Sequence, residues 1–189
     1  MIDTCFADGM RALSELIEGG AELRDACAVM FEENERVIFT GNGYSAEWPA
    51  EAESRGLPNL RDAASAAEAF NSAENKELFE RMGVFTPAEV DARAECFLEN
   101  YVSCIEIEAQ TMIEMVKQGV EPALSADLAT HSSSTESKRY TSRFETYEAV
   151  SGSCEELEAA LAGIEEVEDL NGKAVACRDT VKVAMEALR

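Results

Sequence analysis

The chain is short of the residues on which most enzyme chemistry depends. Its 189 residues include one histidine, one tryptophan, four prolines and 16 lysines and arginines set against 38 aspartates and glutamates. The single histidine, His131, stands in a polar, Ser-rich stretch. A structural zinc site needs clustered Cys and His at chelating spacing, and a carboxylate di-metal bundle needs two Glu-x-x-His motifs. Neither pattern occurs, so no metal ligand is expected and His131 is expected at an exposed helix end. No Gly-x-Ser-x-Gly elbow is present, and no cysteine has a histidine beside it, which leaves no recognisable nucleophile. The triplet Gly41-Asn42-Gly43 lacks the length and the Gly-Lys-Ser/Thr ending of a phosphate loop.

The shortage of basic residues excludes partners as well. A formal net charge of −22 repels phosphate backbones and anionic lipid, so neither a nucleic-acid nor a membrane-surface role is expected. No apolar run approaches the roughly 20 residues that span a bilayer. The opening Met1 to Asp8 lacks the basic region of a secretory leader. These features together predict a cytoplasmic chain. The six cysteines, Cys5, Cys27, Cys96, Cys104, Cys154 and Cys177, are scattered and form no Cys-x-x-Cys pair. In a reducing compartment such cysteines act as small buried apolar residues. Cys96, Cys104 and Cys154 fall in or beside apolar helical stripes, so burial is expected there.

What the chain does have is material for helices. Apolar residues make up 46% of it, enough to fill a core. No repeat of 20 to 50 residues recurs. Phe6, Met10, Leu13 and Leu16/Ile17 mark a first helix, stopped by Gly19-Gly20, and Leu23, Cys27 and Met30/Phe31 mark a second. A compact run, Val37-Ile38-Phe39, leads into the turn sequence Thr40-Gly41-Asn42-Gly43-Tyr44, whose glycines permit positive φ. Ser45 is placed to cap a helix from Ala46 to about Arg55, with Pro49 in its first turn and Gly56 at its end. Short helical pieces are expected over residues 57–72, and a helix over Ala73 to Met82, ended by Gly83.

The strongest local signal is Thr86-Pro87-Ala88-Glu89, a capping box with proline at the first helical position. A long helix should follow and end near Gly119, with Pro122 opening the next. It carries two stripes: Val90, Ala94, Phe97, Tyr101, Cys104/Ile105, Met112 and Met115, and Leu98, Val102, Ile105, Ala109, Ile113 and Val116. Its carboxylates Glu95, Glu99, Glu106, Glu108 and Glu114 read as a solvated or helix-pairing face. Thr130 to Thr135 reads as an exposed joint. Tyr140, Phe144, Tyr147, Val150, Cys154, Leu157, Leu161, Ile164 and Val167 then keep helical phase straight through Ser151-Gly152-Ser153. That phase predicts one unbroken helix of about thirty residues, although Ser-Gly-Ser has poor helix propensity. After Gly172 a last helix turns Val175, Val181, Met185 and Leu188 inward. The fold expected is all-α: a bundle of long antiparallel helices with a smaller N-terminal segment of helices and loop.

One segment goes beyond helix-making. Arg36-Val37-Ile38-Phe39-Thr40-Gly41-Asn42-Gly43-Tyr44-Ser45-Ala46-Glu47-Trp48 joins an apolar run, a double-Gly turn, two aromatics and a helix start. Mechanically it can fix a loop against a neighbour through Tyr44 and Trp48. It resembles the Arg-Val-Ile-Phe-Asn-Gly-Asn-Gly-Tyr-Ser-Asp-Glu-Trp stretch of type III glutamine synthetases, from which Thr40 and Ala46 depart. The likeness continues through Glu51-Ala52-Glu53-Ser54-Arg55-Gly56-Leu57-Pro58-Asn59-Leu60, Leu98-Glu99-Asn100-Tyr101, Thr111-Met112-Ile113-Glu114-Met115, Arg178-Asp179 and Ala184-Met185-Glu186-Ala187-Leu188-Arg189.

The resemblance implies the C-terminal region of an enzyme that joins ammonia to glutamate, in glutamine biosynthesis, with ATP and divalent metal such as magnesium. Family members assemble as rings of subunits. It places the catalytic β-sheet portion, with the metal- and ATP-binding residues, ahead of the part that this chain resembles. No catalytic, cofactor or metal residue therefore transfers to this sequence. Residues 1–85 correspond to the end of the catalytic domain and residues 86–189 to the helical bundle. Phe39, Gly41, Asn42, Gly43, Tyr44, Ser45, Glu47 and Trp48 carry over as a family signature without an assigned role. The expected partners are the catalytic portion, in cis or as a separate chain, and further copies of the enzyme. A chain parted from its sheet should expose apolar surface over residues 1–40. The rival expectation is a free-standing acidic helical interaction module.

Overall fold

The computed structural model describes residues 1–131, 135 and 137–189. These form α-helices with no strand among the described residues, which bears out the all-α expectation. The chain divides into two compact units. The first comprises Met1–Arg61 and Glu68–Ala94, the second Asp62–Ala67 and Glu95–Arg189.

In the first unit α1 (Ile2–Glu18), α2 (Leu23–Glu33), a 3₁₀ turn (Glu35–Val37), α3 (Glu47–Ser54), the end of α4 (Ala63–Phe70), α5 (Ala73–Arg81) and the start of α6 (Pro87–Met115) follow one another. Three helix ends share one chemistry. Gly20, Gly56 and Gly83 take positive φ, at 97°, 71° and 64°. The residue after each donates its N–H to the carbonyl five residues back, Ala21 to Leu16, Leu57 to Ala52 and Val84 to Phe79, so each is a Schellman stop that only glycine makes without strain. The capping box also forms. The Thr86 Oγ1 accepts the Glu89 N–H, while the Glu89 carboxylate accepts from the Thr86 N–H at 2.8 Å.

Phe79 is the centre of this unit at 1% exposure. Its ring tilts against Phe70 and Phe85 at centroid distances of 5.5 and 5.4 Å, and the Arg93 guanidinium lies 4.2 Å over Phe85. Ion pairs tie the helices: Arg81 to Asp8 at 3.1 Å links α5 to α1, and Lys76 to Asp91 at 2.7 Å links α5 to α6. Against these, α1 and α2 leave much of their apolar stripe in water.

The second unit is better filled. Val102, Ile105, Ala109 and Ile113 of α6, and Val116 just after it, pack with Cys154, Leu157 and Ile164 of α8 (Lys138–Glu165), Ala174 of α9 (Leu170–Ala176), and Cys177 and Val181 beyond it. The ion pairs Lys117–Glu158 at 2.5 Å and Arg143–Asp127 at 2.5 Å match rising numbers on one side to falling numbers on the other. α8 therefore runs antiparallel to the helix before it. Of the two stripes expected on α6, the one through Val102 and Ala109 is buried. The other is only partly covered, since Phe97 and Met115 are 54% and 67% exposed. Cys96 and Cys104 lie on that outer side and are exposed, correcting their expected burial, whereas Cys154 and Cys177 are buried.

Helix boundaries also differ from expectation. The helix does not stop at Gly119. A π turn, Val116–Val120, carries α6 into α7 (Glu121–Thr130), and the Glu121 N–H reaches the Val116 carbonyl. Pro122, which has no N–H, stands directly after this turn, in the first turn of α7, where a missing donor costs least. A second π turn, Cys177–Val181, joins α9 to α10 (Lys182–Leu188). Gly172 lies inside α9, which begins earlier because Asp169 caps it by accepting the Gly172 N–H at 2.7 Å. α8 does run unbroken through Ser151-Gly152-Ser153 over 28 residues. His131 is the C-cap of α7 and half-buried. Of the expected joint from Thr130 to Thr135, residues 132–134 lie outside the described residues.

Carboxylates fasten the second unit. Asp62 caps α4, accepting the Ser65 N–H at 2.9 Å, and also takes Arg178 Nη1 at 3.3 Å from the second π turn. The Ser65 N–H, the Ser65 hydroxyl and the Arg178 guanidinium hold the Asp62 carboxyl below its ordinary value. A carboxyl more acidic in the folded than the unfolded chain adds stability above its unfolded pKa, near 4, and that contribution is lost as the pH falls. Asp62→Asn should therefore be less stable than wild type at pH 7, with the difference narrowing in urea titrations as the pH falls past the unfolded carboxyl's pKa and through the lowered folded one. Leu157→Ala should cost about 2–5 kcal/mol. Ile107→Ala, on the exposed side of α6, should stay within about 0.5 kcal/mol of wild type in the same titration.

Candidate functional site

The signature segment lies between the 3₁₀ turn and α3, in the first unit, and it is built around a residue outside the expected set. Arg55, at the end of α3, points its guanidinium back into the loop. Its Nη1 donates to the carbonyls of Ile38 at 2.9 Å and Arg36 at 3.3 Å, and its Nη2 donates to the Glu51 carboxylate one turn away. The same guanidinium lies 5.8 Å from the Trp48 ring and 5.9 Å from the Phe39 ring. Those rings are stacked, with centroids 4.2 Å apart. Arg55 thus satisfies two loop carbonyls and covers two aromatic faces at once, a task for a planar guanidinium and not for an ammonium. Its signal in the sequence was the Glu51/Arg55 spacing of four within the family-like stretch.

Each signature residue can now be placed. Phe39 and Trp48 form the stack. Gly41 is required because a β-carbon there would overlap the Phe39 ring. Asn42 makes the turn: its Oδ1 accepts the Tyr44 N–H and its carbonyl accepts the Ser45 N–H, both at 3.0 Å. Gly43 has open space about it, and neither Gly41 nor Gly43 takes positive φ. The turn therefore rests on the Asn42 side chain and not on left-handed glycine. Ser45 is half-buried but does not cap α3, which starts at Glu47 with Ala46 before it and no side-chain cap. The cap position falls to Ala46, so Ser45 stands one residue ahead of it, with its N–H taken up in the Asn42 turn. Glu47 is exposed in the first turn of α3. Tyr44 is fully exposed at the tip, at 102%.

Beside the loop the same unit opens an apolar groove of about 370 Å³, lined by Phe6, Met10 and Leu13 of α1, Cys27 and Phe31 of α2, and Ile38. Phe6 and Phe31 are 71% and 66% exposed. The expectation of apolar surface over residues 1–40 is met here. Among the described residues no three His, Cys, Asp or Glu side chains are grouped to hold a metal ion, and no helix is long and apolar enough to cross a membrane. Loop and groove together set stacked aromatic rings and the exposed Tyr44 beside an apolar trough whose lining includes the Cys27 thiol.

Comparison with known proteins agrees with the motif reading. Residues 22–139 match the family described as the glutamine synthetase C-terminal domain. A glutamine synthetase of Butyrivibrio fibrisolvens is 40% identical over 111 residues, 57% of this chain and 16% of that protein. A type-3 glutamine synthetase of Dictyostelium discoideum is 40% identical over 88 residues, 47% of this chain and 12% of that protein. A glutamine synthetase of Bacteroides fragilis is 27% identical over 115 residues, 59% of this chain and 16% of that protein. The chain thus spans about one sixth or less of the length of these relatives.

Two substitutions test the loop's construction. Arg55→Met keeps an apolar stem but removes the donors, and Gly41→Ala forces the Phe39 ring aside. Each should shift Trp48 emission to the red and speed proteolysis between Arg36 and Trp48 several-fold, with helix content by circular dichroism unchanged.

Proposed function

Because the chain belongs to the glutamine synthetase C-terminal domain family, we propose that it is the helical, non-catalytic region of a type III glutamine synthetase, and that it braces the portion of that enzyme which ligates ammonia to glutamate. The carrying observation is the uncovered apolar surface of α1, α2 and Ile38. Burying such surface stabilises by roughly 25 cal/mol per Å², and a contiguous apolar trough on a strongly charged chain marks a contact surface. Its occupant in this reading is the catalytic portion of the same enzyme, in cis or as a separate chain. The relatives carry more than four-fifths of their length outside the stretch this chain matches, so a large body of the same protein is at hand to cover it.

In this reading ATP and magnesium bind in that catalytic portion, and this chain contributes shape and contact. Its acidic surface, at −22, keeps the chain soluble and leaves the apolar groove as the adhesive face. The assembly into homo-oligomers expected of the family then depends on the catalytic portion being held in place.

The purified chain given ATP, Mg²⁺, glutamate and ammonia should form no glutamine. Turnover abolished by a point change within the chain would contradict the reading. The double variant Phe6→Asp/Phe31→Asp should keep its helix content and should lose co-purification with a co-expressed catalytic portion that retains wild type. Equal retention of the variant counts against the groove as the contact.

A further inference from the structure

The signature loop holds one aromatic ring that its own construction does not use. Phe39 and Trp48 stack, Gly41 makes room for the Phe39 ring, Asn42 forms the turn, and Arg55 clamps the whole against the Ile38 carbonyl. Of the loop's aromatic rings, Tyr44 alone projects entirely into water. The loop is expensive to build merely to expose an aromatic ring. A guanidinium is committed to two backbone carbonyls and two ring faces, and its effect is to fix the residues on either side of the tip. The Asn42 Oδ1 bond to the Tyr44 N–H fixes the backbone of Tyr44 itself. An exposed tyrosine on a preorganised turn loses little freedom when it inserts into a pocket, and tyrosine is among the residues that most often dominate interface energetics.

We infer that Tyr44 is a docking anchor that inserts into the catalytic portion of the glutamine synthetase. The inference rests on the functional reading given above and names a second contact for it. Three observations select this occupant. Ile38 lines the apolar groove and its carbonyl holds Arg55, so the loop springs from the lip of the groove and a body that fills the groove reaches the loop. The segment lies within the stretch that matches the family, residues 22–139, as a feature of this domain of the enzyme. The tip also carries no basic group: Glu47 and Glu51 are its nearest charged neighbours in sequence, with Glu51 paired to Arg55. That favours a protein pocket with apolar walls and a polar end for the hydroxyl over any phosphate-bearing ligand.

The test uses the complex formed when the chain is co-expressed with the catalytic portion. Tyrosine acetylation by N-acetylimidazole is mapped by mass spectrometry in the free chain and in the complex. Tyr44 should react readily in the free chain and at least ten-fold more slowly in the complex. Tyr44→Ala should speed dissociation of the complex ten-fold or more, with Tyr44→Phe between it and wild type. The ring is fully exposed, so neither variant is expected to disturb folding, and circular dichroism checks this. A complex in which Tyr44 reacts as fast as in the free chain, or in which Tyr44→Ala dissociates like wild type, overturns the anchor while leaving the groove reading intact. Failure of the wild-type chain to form a complex overturns the groove reading, and the anchor with it.

Discussion

An amphipathic helix must cover its apolar stripe, and in a chain made of helices alone each helix depends on others for cover. The second unit solves this internally. The buried stripe of α6 meets Cys154, Leu157 and Ile164 from the antiparallel α8, and Cys177 and Val181 close the remaining side. Two π turns adjust the ladder so that the helices continue past Pro122 and Arg178 without losing their packed face. The first unit does not solve it. Phe79 and its aromatic neighbours form a small core, while Phe6, Met10, Phe31 and Ile38 remain in water. The functional reading follows from that difference between a self-sufficient unit and one with a face left over.

The signature loop shows the same economy on a smaller scale. Its side chains are spent on holding its own backbone, through a ring stack, a side-chain turn and one guanidinium. A loop fixed in this way has little conformational entropy left to lose on contact. Loops of this kind usually carry recognition on a rigid scaffold. In the proposed reading the chemistry lies in the portion of the enzyme outside this region, and the region contributes surface of defined shape.

The sequence made the helices legible because their stripes keep phase over long stretches. The run from Tyr140 to Val167 outvoted Ser151-Gly152-Ser153, since a core contact repeated every three or four residues outweighs a local propensity loss of about 1 kcal/mol. The same logic explains the misses. Gly119 and Pro122 read as a break, yet a π turn carries the helix past both, and no periodicity announces a one-residue shift in the ladder. Cys96 and Cys104 lie on a stripe that is apolar in composition but faces away from Val102 and Ala109; periodicity gives a face and not its partner. Around the loop, the aromatic and Gly-Asn-Gly pattern identified the segment. For the governing side chain, Arg55, only the spacing from Glu51 was visible; its clamp on the loop was hidden because those partners are backbone carbonyls 17 and 19 residues earlier, and a carbonyl has no sequence identity.

The central claim is that the catalytic portion of the enzyme covers the apolar groove of the first unit, and thiol labelling tests it most directly. Cys27 lines the groove, whereas Cys96 and Cys104 are exposed on α6 and take no part in lining it. In the free chain all three should be modified by a small maleimide. On complex formation with the catalytic portion, Cys27 modification should slow at least ten-fold relative to Cys96 and Cys104. A complex in which Cys27 keeps its free-chain rate would contradict the account.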